Sequence, residues 1–172
     1  MDLQKFIEVN GTLVQIKKGE LVFAQGELCD YVYLVKTGLL KAFYLTENGK
    51  ETIKSFIQSG TIIGSLNAAH CQIPSTFSLE ALEGCILIQV PFRALLALSK
   101  ESISISQELI QILLSLSLKK ERREFELLTL SATQRFENLC SAEPDLVKKL
   151  TQNDIAKYLG ITPVALSRIK HK

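Results

Sequence analysis

The first half of the chain shows short hydrophobic runs rich in β-branched and aromatic residues, separated by polar residues and glycines. From Gly11 to Gly60 the glycines recur every seven to twelve residues. This spacing is typical of short antiparallel strands in a sandwich or barrel. Asn48 and Gly49 supply the positive φ that a tight hairpin needs. The pattern predicts strands over 12–16, 31–35, 39–45, 52–57 and 85–90.

The period changes to a helical one after Pro91, where a short helix is predicted, followed by a long helix over 104–128. Between residues 109 and 118 this long helix is apolar nearly all round, so every side of it needs a cover. A small β domain covers one face of the long helix, and the same helix from a second subunit is the simplest way to bury the other face. The alternative is a central helix within a monomeric bundle. The predicted dimer residues are Leu109, Ile112, Leu113 and Leu116. The charged run 119–126 is expected to be the solvated end of the helix.

Residues 151–170 have the pattern of two short helices joined by a tight turn. Thr151 and Asp154 resemble an N-terminal capping box, and Gly160 is placed to end the first helix in a left-handed conformation. Thr162 is a candidate cap for the second helix, with Pro163 at its first position. The shared apolar residues are Ile155, Leu159, Ile161, Leu166 and Ile169. The set predicts a helix-turn-helix.

A helix-turn-helix places its second helix, here 163–171, in the major groove of DNA. Arg168 is the candidate for base-edge recognition, at guanine, because its guanidinium donates two parallel hydrogen bonds. Its alternative role is that of an ordinary surface cation. Ser167 and Thr162 suit phosphate or base contacts, and lysines, Lys172 among them, suit phosphate. The predicted DNA-binding residues are Thr162, Pro163, Val164, Ser167, Arg168, Lys157 and Lys170.

Charge supports this interpretation only in combination with the motif. The formal net charge is +2, but residues 1–118 hold nine Lys and Arg against eleven Asp and Glu, whereas residues 119–172 hold eleven against seven. A modest excess of positive charge usually marks a solvated surface. Because the excess lies where the helix-turn-helix is predicted, it favours double-stranded DNA as the partner.

Several classes of protein are disfavoured by composition. Apolar residues make up 47% of the 172 residues and charged residues 22%, as in a globular protein. No apolar run approaches the roughly 20 residues that span a bilayer, and the N-terminal pattern is not that of a signal peptide, so a cytoplasmic protein without a membrane partner is expected. Four scattered cysteines and two histidines predict no metal site and no cofactor. An enzyme with a jelly-roll pocket would need a histidine cluster, so neither an enzyme nor catalytic residues are expected.

These features together resemble the Crp/Fnr (catabolite-activator) family of regulators. The stretches that carry the resemblance are 18–27, 31–38, 60–66, 77–82, the long helix, 156–162 and 166–169. The resemblance implies an α+β fold with an N-terminal antiparallel, jelly-roll-like β-roll over 1–98, a dimerisation helix over 99–128 and a DNA-binding helix-turn-helix over 129–172. It also implies a homodimer, a roughly palindromic operator with half-sites about one helical turn apart, and RNA polymerase as a candidate partner.

The resemblance weakens at the ligand cassette of the family. Ser65 stands where cyclic-nucleotide binders have a glutamate for the ribose, and Ser75 stands where they have an arginine for the phosphate. No charged residue occurs from 61 to 79, and burying an unpaired phosphate costs several kcal/mol, so no response to cyclic AMP is expected. The remaining cassette residues are Gly64, Ser65, Leu66, Ser75 and Thr76. They line a pocket for an unknown effector, or they are vestigial.

Three further expectations complete the sequence-based interpretation. An iron-sulfur sensor is disfavoured because the cysteines do not cluster near the N-terminus. The sequence ends three residues after Ile169, before any β-hairpin wing, so fewer phosphate contacts are expected. The alternative function is a module that binds a cyclic-nucleotide-like ligand and acts through protein partners.

Overall fold

The chain divides into two compact units, Met1–Ile112 and Leu113–Lys172. The computed structural model describes residues 2–171. Strands occur in the first unit and helices alone make up the second, so the α+β class is confirmed. Among the described helices, none has both the length and the apolarity needed to cross a membrane.

The first unit is built from two four-stranded antiparallel sheets. Its elements are α1 (Leu3–Asn10), β1 (Thr12–Ile16), β2 (Leu21–Phe23), β3 (Tyr31–Thr37), β4 (Leu39–Leu45), β5 (Glu51–Gln58), β6 (Ile62–Gly64), α2 (Leu66–Ala69), β7 (Ser78–Ala81), β8 (Cys85–Pro91) and α3 (Phe92–Glu101). The strand orders are β1-β8-β3-β6 and β2-β7-β4-β5. All five predicted strands are confirmed. Strands β2, β6 and β7 were not predicted, because three or four residues are too few to show a strand pattern.

Strand β3 separates two apolar cores. Tyr33 and Val35 belong to the core enclosed by residues of both sheets, together with Leu40, Leu79 and Leu87. Side chains alternate across a strand, so Val32 and Leu34 lie on the opposite face. There they pack with Leu3 and Ile7 of α1, Leu95 of α3 and Ile105 of the following helix. Helices therefore cover the outer face of the first sheet.

The long helix α4 (Ile103–Thr129) extends one residue beyond its predicted range at each end. The second unit continues with α5 (Ala132–Ala142), α6 (Pro144–Lys149), α7 (Gln152–Leu159) and α8 (Pro163–Lys170). Helix α5 was not predicted, although Ser131 and Gln134 form a full capping box at its start. The buried apolar residues of the second unit are Leu139, Leu146, Leu150, Ile155, Ala156, Leu159 and Leu166.

Candidate functional site

The predicted helix-turn-helix forms through local caps. Thr151 Oγ1 accepts a hydrogen bond from the backbone N–H of Asp154 at 3.1 Å and so caps α7. Gly160 ends α7 with φ +72°, and its N–H donates to the carbonyl of Ala156. Thr162 Oγ1 accepts from the N–H of Ala165 at 3.2 Å, directly before the proline that starts α8. Each cap satisfies a backbone group that the helix leaves unpaired.

One side of α8 packs against α7. Ile155, Ala156, Leu159 and Leu166 are almost completely buried. Ile161 and Ile169, which were predicted to share this core, are only half-buried. Small Ala156 lets the two helices approach closely, as expected of this motif. The packing leaves the opposite side of α8 open.

Most of the predicted DNA-binding residues lie on this open side. Thr162, Pro163, Val164, Ser167, Arg168 and Lys170 are exposed, and the apolar Val164 is 62% exposed. At 100° per residue, positions 163, 164, 167 and 168 fall within one arc of about 140°. Lys157 on α7 is half-buried and already engaged within the chain. Lys172 lies outside the described residues.

Two arginines that the sequence analysis did not single out hold the end of α7. Arg123 of α4 donates to the carbonyl of Tyr158, and its guanidinium carbon lies 3.8 Å from the centroid of that tyrosine ring. Arg135 of α5 donates to the carbonyl of Leu159 at 3.0 Å and to that of Leu130 at 2.6 Å. Burial lowers the pKa of Arg123 and raises that of Tyr158.

The expectation that 119–126 is a solvated helix end is therefore wrong for Arg123. Its neighbour Arg122 is solvated, with an exposed ion pair to Glu126. Adjacent positions on a helix point about 100° apart, so one arginine of a pair enters the packing while the other faces solvent. Arg122 and Arg123 differ in their exposure to solvent, and the sequence alone does not show which of the two packs inside the protein.

The first part of the cassette is shaped by strand packing and helix capping. Gly64 ends β6 opposite Val32, where a Cβ atom would lie 2.8 Å from Val32 Cγ1. Ser65 is buried and caps α2 by accepting a 3.5 Å hydrogen bond from Ala68 N–H. Leu66 is 41% exposed. These contacts explain the glycine and the serine without reference to a ligand.

In the second part of the cassette, Ser75 and Thr76, the side chain and backbone of Ser75 form hydrogen bonds with backbone groups of the same chain. The buried Ser75 donates its hydroxyl to the carbonyl of Phe77 at 2.8 Å. Its own N–H donates to the carbonyl of Glu27, and its carbonyl accepts from Gly26 N–H, both at 2.8 Å. Thr76 is exposed. The Ser75 side chain is thus committed to closing a turn.

Beneath the cassette the interior is filled by aromatic rings. Phe23 packs edge-on against Phe77, with ring centroids 5.3 Å apart, and stacks near Tyr33. Lys54 of β5 lies with its Nζ 3.8 Å from the Phe77 ring centroid. Two shallow surface depressions occur along α1 and the start of α4, and neither is lined by a cassette residue. Tertiary packing brings the Lys54 ammonium near the segment 61–79, and Lys54 is engaged within the chain.

The apolar residues of α4 separate into two faces. Leu109 and Ile112 pack against the core that contains Ile105, and Leu116 is half-buried. Of the four predicted dimer residues, only Leu113 is exposed. It lies on a stripe that we name the open face of α4, formed by Ile110, Leu113, Leu114 and Leu118, each 49–64% exposed. Leu109 and Ile112 are half-buried against this core, and the dimer contact predicted through them stays a prediction.

Within the described part of the chain, no group of three His, Cys, Asp or Glu side chains is arranged to hold a metal ion. The cysteines are free thiols: Cys29 and Cys85 are buried, Cys140 is half-buried and Cys71 is exposed. Burial raises the pKa of the Cys85 and Cys140 thiols.

Comparison with known proteins gives consistent matches. Residues 13–102 match the cyclic nucleotide-binding domain family. The chain is 27% identical over 165 residues to electron transport regulator A of Shewanella oneidensis and 26% identical over 165 residues to the fumarate and nitrate reduction regulatory protein of Yersinia pestis. Each alignment covers 90% of this chain, which spans 65% of the length of these relatives. The solved structure of FixK2 from Bradyrhizobium japonicum superimposes with a TM-score of 0.79 at 19% identity, covering 94% of this chain and 83% of FixK2.

Proposed function

The chain belongs to the cyclic nucleotide-binding domain family, in its Crp/Fnr branch of regulators, and from this premise we propose that it is a homodimeric, DNA-binding transcription regulator. The proteins it resembles are regulators by name and not enzymes. The observation that carries the proposal is the open side of α8, which presents polar and cationic residues next to a well-packed helix-turn-helix.

Recognition of bases is assigned to α8. Arg168 is exposed and suited to guanine, whose two major-groove acceptors match two donors of one guanidinium. Ser167 lies beside it, and the hydroxyl of Thr162 is partly committed to capping, so Thr162 is better placed for phosphate. Val164 is apolar and 62% exposed, which suits contact with a thymine methyl group.

Phosphate binding is assigned to the cations around the motif. Lys170 is exposed on α8, and Lys157 lies on α7. Residues 119–172 carry a formal charge of +4, so the second unit attracts DNA at long range. Phosphate contacts release counterions, and the affinity is therefore expected to fall steeply with salt concentration.

Dimerisation is assigned to the open face of α4. Four large apolar side chains within nine residues are exposed there, although exposing such a stripe to water is unfavourable. A monomeric bundle would bury these residues inside one chain. Two copies of the stripe pack against each other in a twofold dimer, which presents two recognition helices to a roughly palindromic site.

Cyclic AMP is not the proposed effector. The hydroxyl of Ser75 bonds to Phe77 and that of Ser65 caps α2, so the positions used for ribose and phosphate are occupied by structural contacts. Two alternatives stay open for the cassette: it binds an unknown effector, or it binds no effector. The free thiols suit a reducing compartment, and a DNA-binding regulator acts where the DNA is, so we propose that the protein is cytoplasmic. RNA polymerase is the candidate protein partner, because a transcription regulator acts on transcription.

The test is enrichment of random duplex DNA by the purified chain. We expect a roughly palindromic sequence, lost in Arg168→Ala. Lys148→Ala is the matched control. Lys148 is an exposed lysine on α6 that pairs with Asp145, so this substitution removes one positive charge at a position outside α8. Enrichment that survives Arg168→Ala would refute the role of α8. If the native chain enriches no sequence, the alternative of a ligand-binding module acting through protein partners takes its place.

A further inference from the structure

The carboxyl end of α7 is held by side chains from two other helices. The last carbonyls of a helix have no intrahelical partner. Here the carbonyl of Tyr158 accepts from Arg123 and that of Leu159 accepts from Arg135 at 3.0 Å. Both carbonyls lie directly before Gly160, so the arginines hold α7 at the point where the chain turns into α8.

Arg123 holds both the backbone and the ring of a single residue. It donates to the Tyr158 carbonyl, and its guanidinium also lies 3.8 Å from the Tyr158 ring centroid. A planar guanidinium stacked on a ring has a defined orientation, unlike a lysine ammonium. The contact therefore constrains both the position and the orientation of α7 relative to α4 at this point.

This contact is not optimised for stability. Among the described residues, Arg123 Nη1 and Arg135 Nε are buried without a hydrogen-bond partner. Buried unpaired groups of charged side chains lower stability, and an apolar side chain of similar size avoids this loss. A half-buried arginine with a buried, unpaired donor is more easily explained by a need for orientation.

The location of Arg123 on α4 links this orientation to the dimer. Arg123 follows Leu114 by nine residues, which is two and a half helical turns. It therefore lies on the side of α4 opposite the open face. Leu113, Leu114, Leu118, Arg123 and the helix-turn-helix all belong to the compact unit Leu113–Lys172. In a dimer formed through the open face, each helix-turn-helix is held on the side of α4 away from the partner.

Building on the proposed function, we propose that Arg123 is a positioning residue that sets the separation of the two recognition helices, and with it the half-site spacing that the dimer accepts. Arg123 does not contact DNA in this proposal. Arg135 supports it by holding the adjacent carbonyl from α5. The readout that separates this role from simple stabilisation is the dependence of binding on half-site spacing.

The first experiment uses the DNA enriched by the native chain, together with versions whose half-sites are moved apart or together by one or two base pairs, and a single half-site. Arg123→Met is expected to bind the enriched palindrome roughly tenfold more weakly, to lose the preference for its spacing, and to bind the half-site as before. Arg123→Lys is expected to restore part of the preference. Arg122→Met, which removes an exposed charge one residue away, is expected to match the native chain.

Equal losses on the half-site and the palindrome, or an unchanged preference for spacing, would overturn the proposal. A second measurement needs no DNA: the distance between spin labels at Gln152→Cys in the two subunits, with Cys71 and Cys140 changed to serine. We expect a narrow distribution in the native chain and a broad one in Arg123→Met. A narrow distribution in both, or a monomeric native chain, also overturns it. If no DNA is enriched but the distribution broadens, the proposed function fails and the positioning role stands.

Discussion

Lys41 Nζ lies 2.9 Å from Glu51 Oε1 on the neighbouring strand, with its side chain only 8% exposed. Glu80 on the other neighbouring strand lies 3.4 Å away, so one buried cation bridges β5 and β7 across β4. The Lys41 ammonium also lies 4.9 Å from the Phe43 ring centroid. The β-roll therefore contains a buried ion triad that couples three strands.

Replacing Lys41 by methionine is expected to destabilise the first unit by about 3 kcal/mol, because the change removes the cation that two largely buried carboxylates share. Urea unfolding followed by circular dichroism measures the loss. The matched control is Lys36→Met, which breaks the more exposed pair with Glu8 and is expected to have a much smaller effect. Equal effects of the two changes would show that the triad contributes little.

Alkaline pH is expected to weaken the same triad. Burial lowers the pKa of Lys41, but the hydrogen bonds and charges of Glu51 and Glu80 outweigh it and raise the pKa overall. A pKa raised by folding contributes stability that is complete below the unfolded value, about 10.4, and is lost as pH rises through the folded value. The free energy of unfolding of the native chain should therefore approach that of Lys41→Met above about pH 10.5. Buried tyrosines titrate in both chains, so the difference between the two isolates Lys41. A difference that stays constant up to the highest measurable pH would contradict the assignment.

Charge placed on the open face of α4 is expected to separate the dimer. Leu114→Glu buries two carboxylates in the proposed interface, so sedimentation should show a monomer that retains its helical content. Lys119→Glu is the matched control, because Lys119 is exposed on the same helix and lies about 100° or more from every residue of the open face. Dissociation by both variants, or by neither, would place the interface elsewhere.

Cyclic AMP is expected to leave thermal stability unchanged. A ligand at about 100 times its dissociation constant stabilises the folded state by about 2.7 kcal/mol, which would raise the Tm of a chain of this size by roughly 5–10 °C. Scanning fluorimetry with about 1 mM cyclic AMP would detect binding with a dissociation constant near 10 μM. A rise of this size would show that the serines of the cassette move aside to admit the nucleotide.

The helix-turn-helix could be predicted from the sequence because its signals are local. Thr162 caps α8 through the N–H of Ala165, three residues on, and Gly160 adopts a left-handed conformation that glycine reaches without a steric penalty. The longer strands were predictable for the same reason, since a β-branched and aromatic run of five to eight residues between turn residues marks a strand. Helix α1 was missed, although Asp2 caps it through the N–H of Lys5, because its docking depends on a hydrogen bond from Leu3 to the distant Glu108.

The sequence by itself determined the five longer strands, the long helix α4, the capped turn of the helix-turn-helix and the loss of charge from the cassette. The tertiary structure decided which side of α4 is open, that the Ser75 hydroxyl closes a turn, and that Arg123 packs against Tyr158 while Arg122 is solvated. The physical reason is the separation along the sequence over which each interaction acts. Caps and periodicity act over a few residues, whereas the contact of Arg123 with Tyr158 joins positions 35 residues apart, and only the folded chain brings them together.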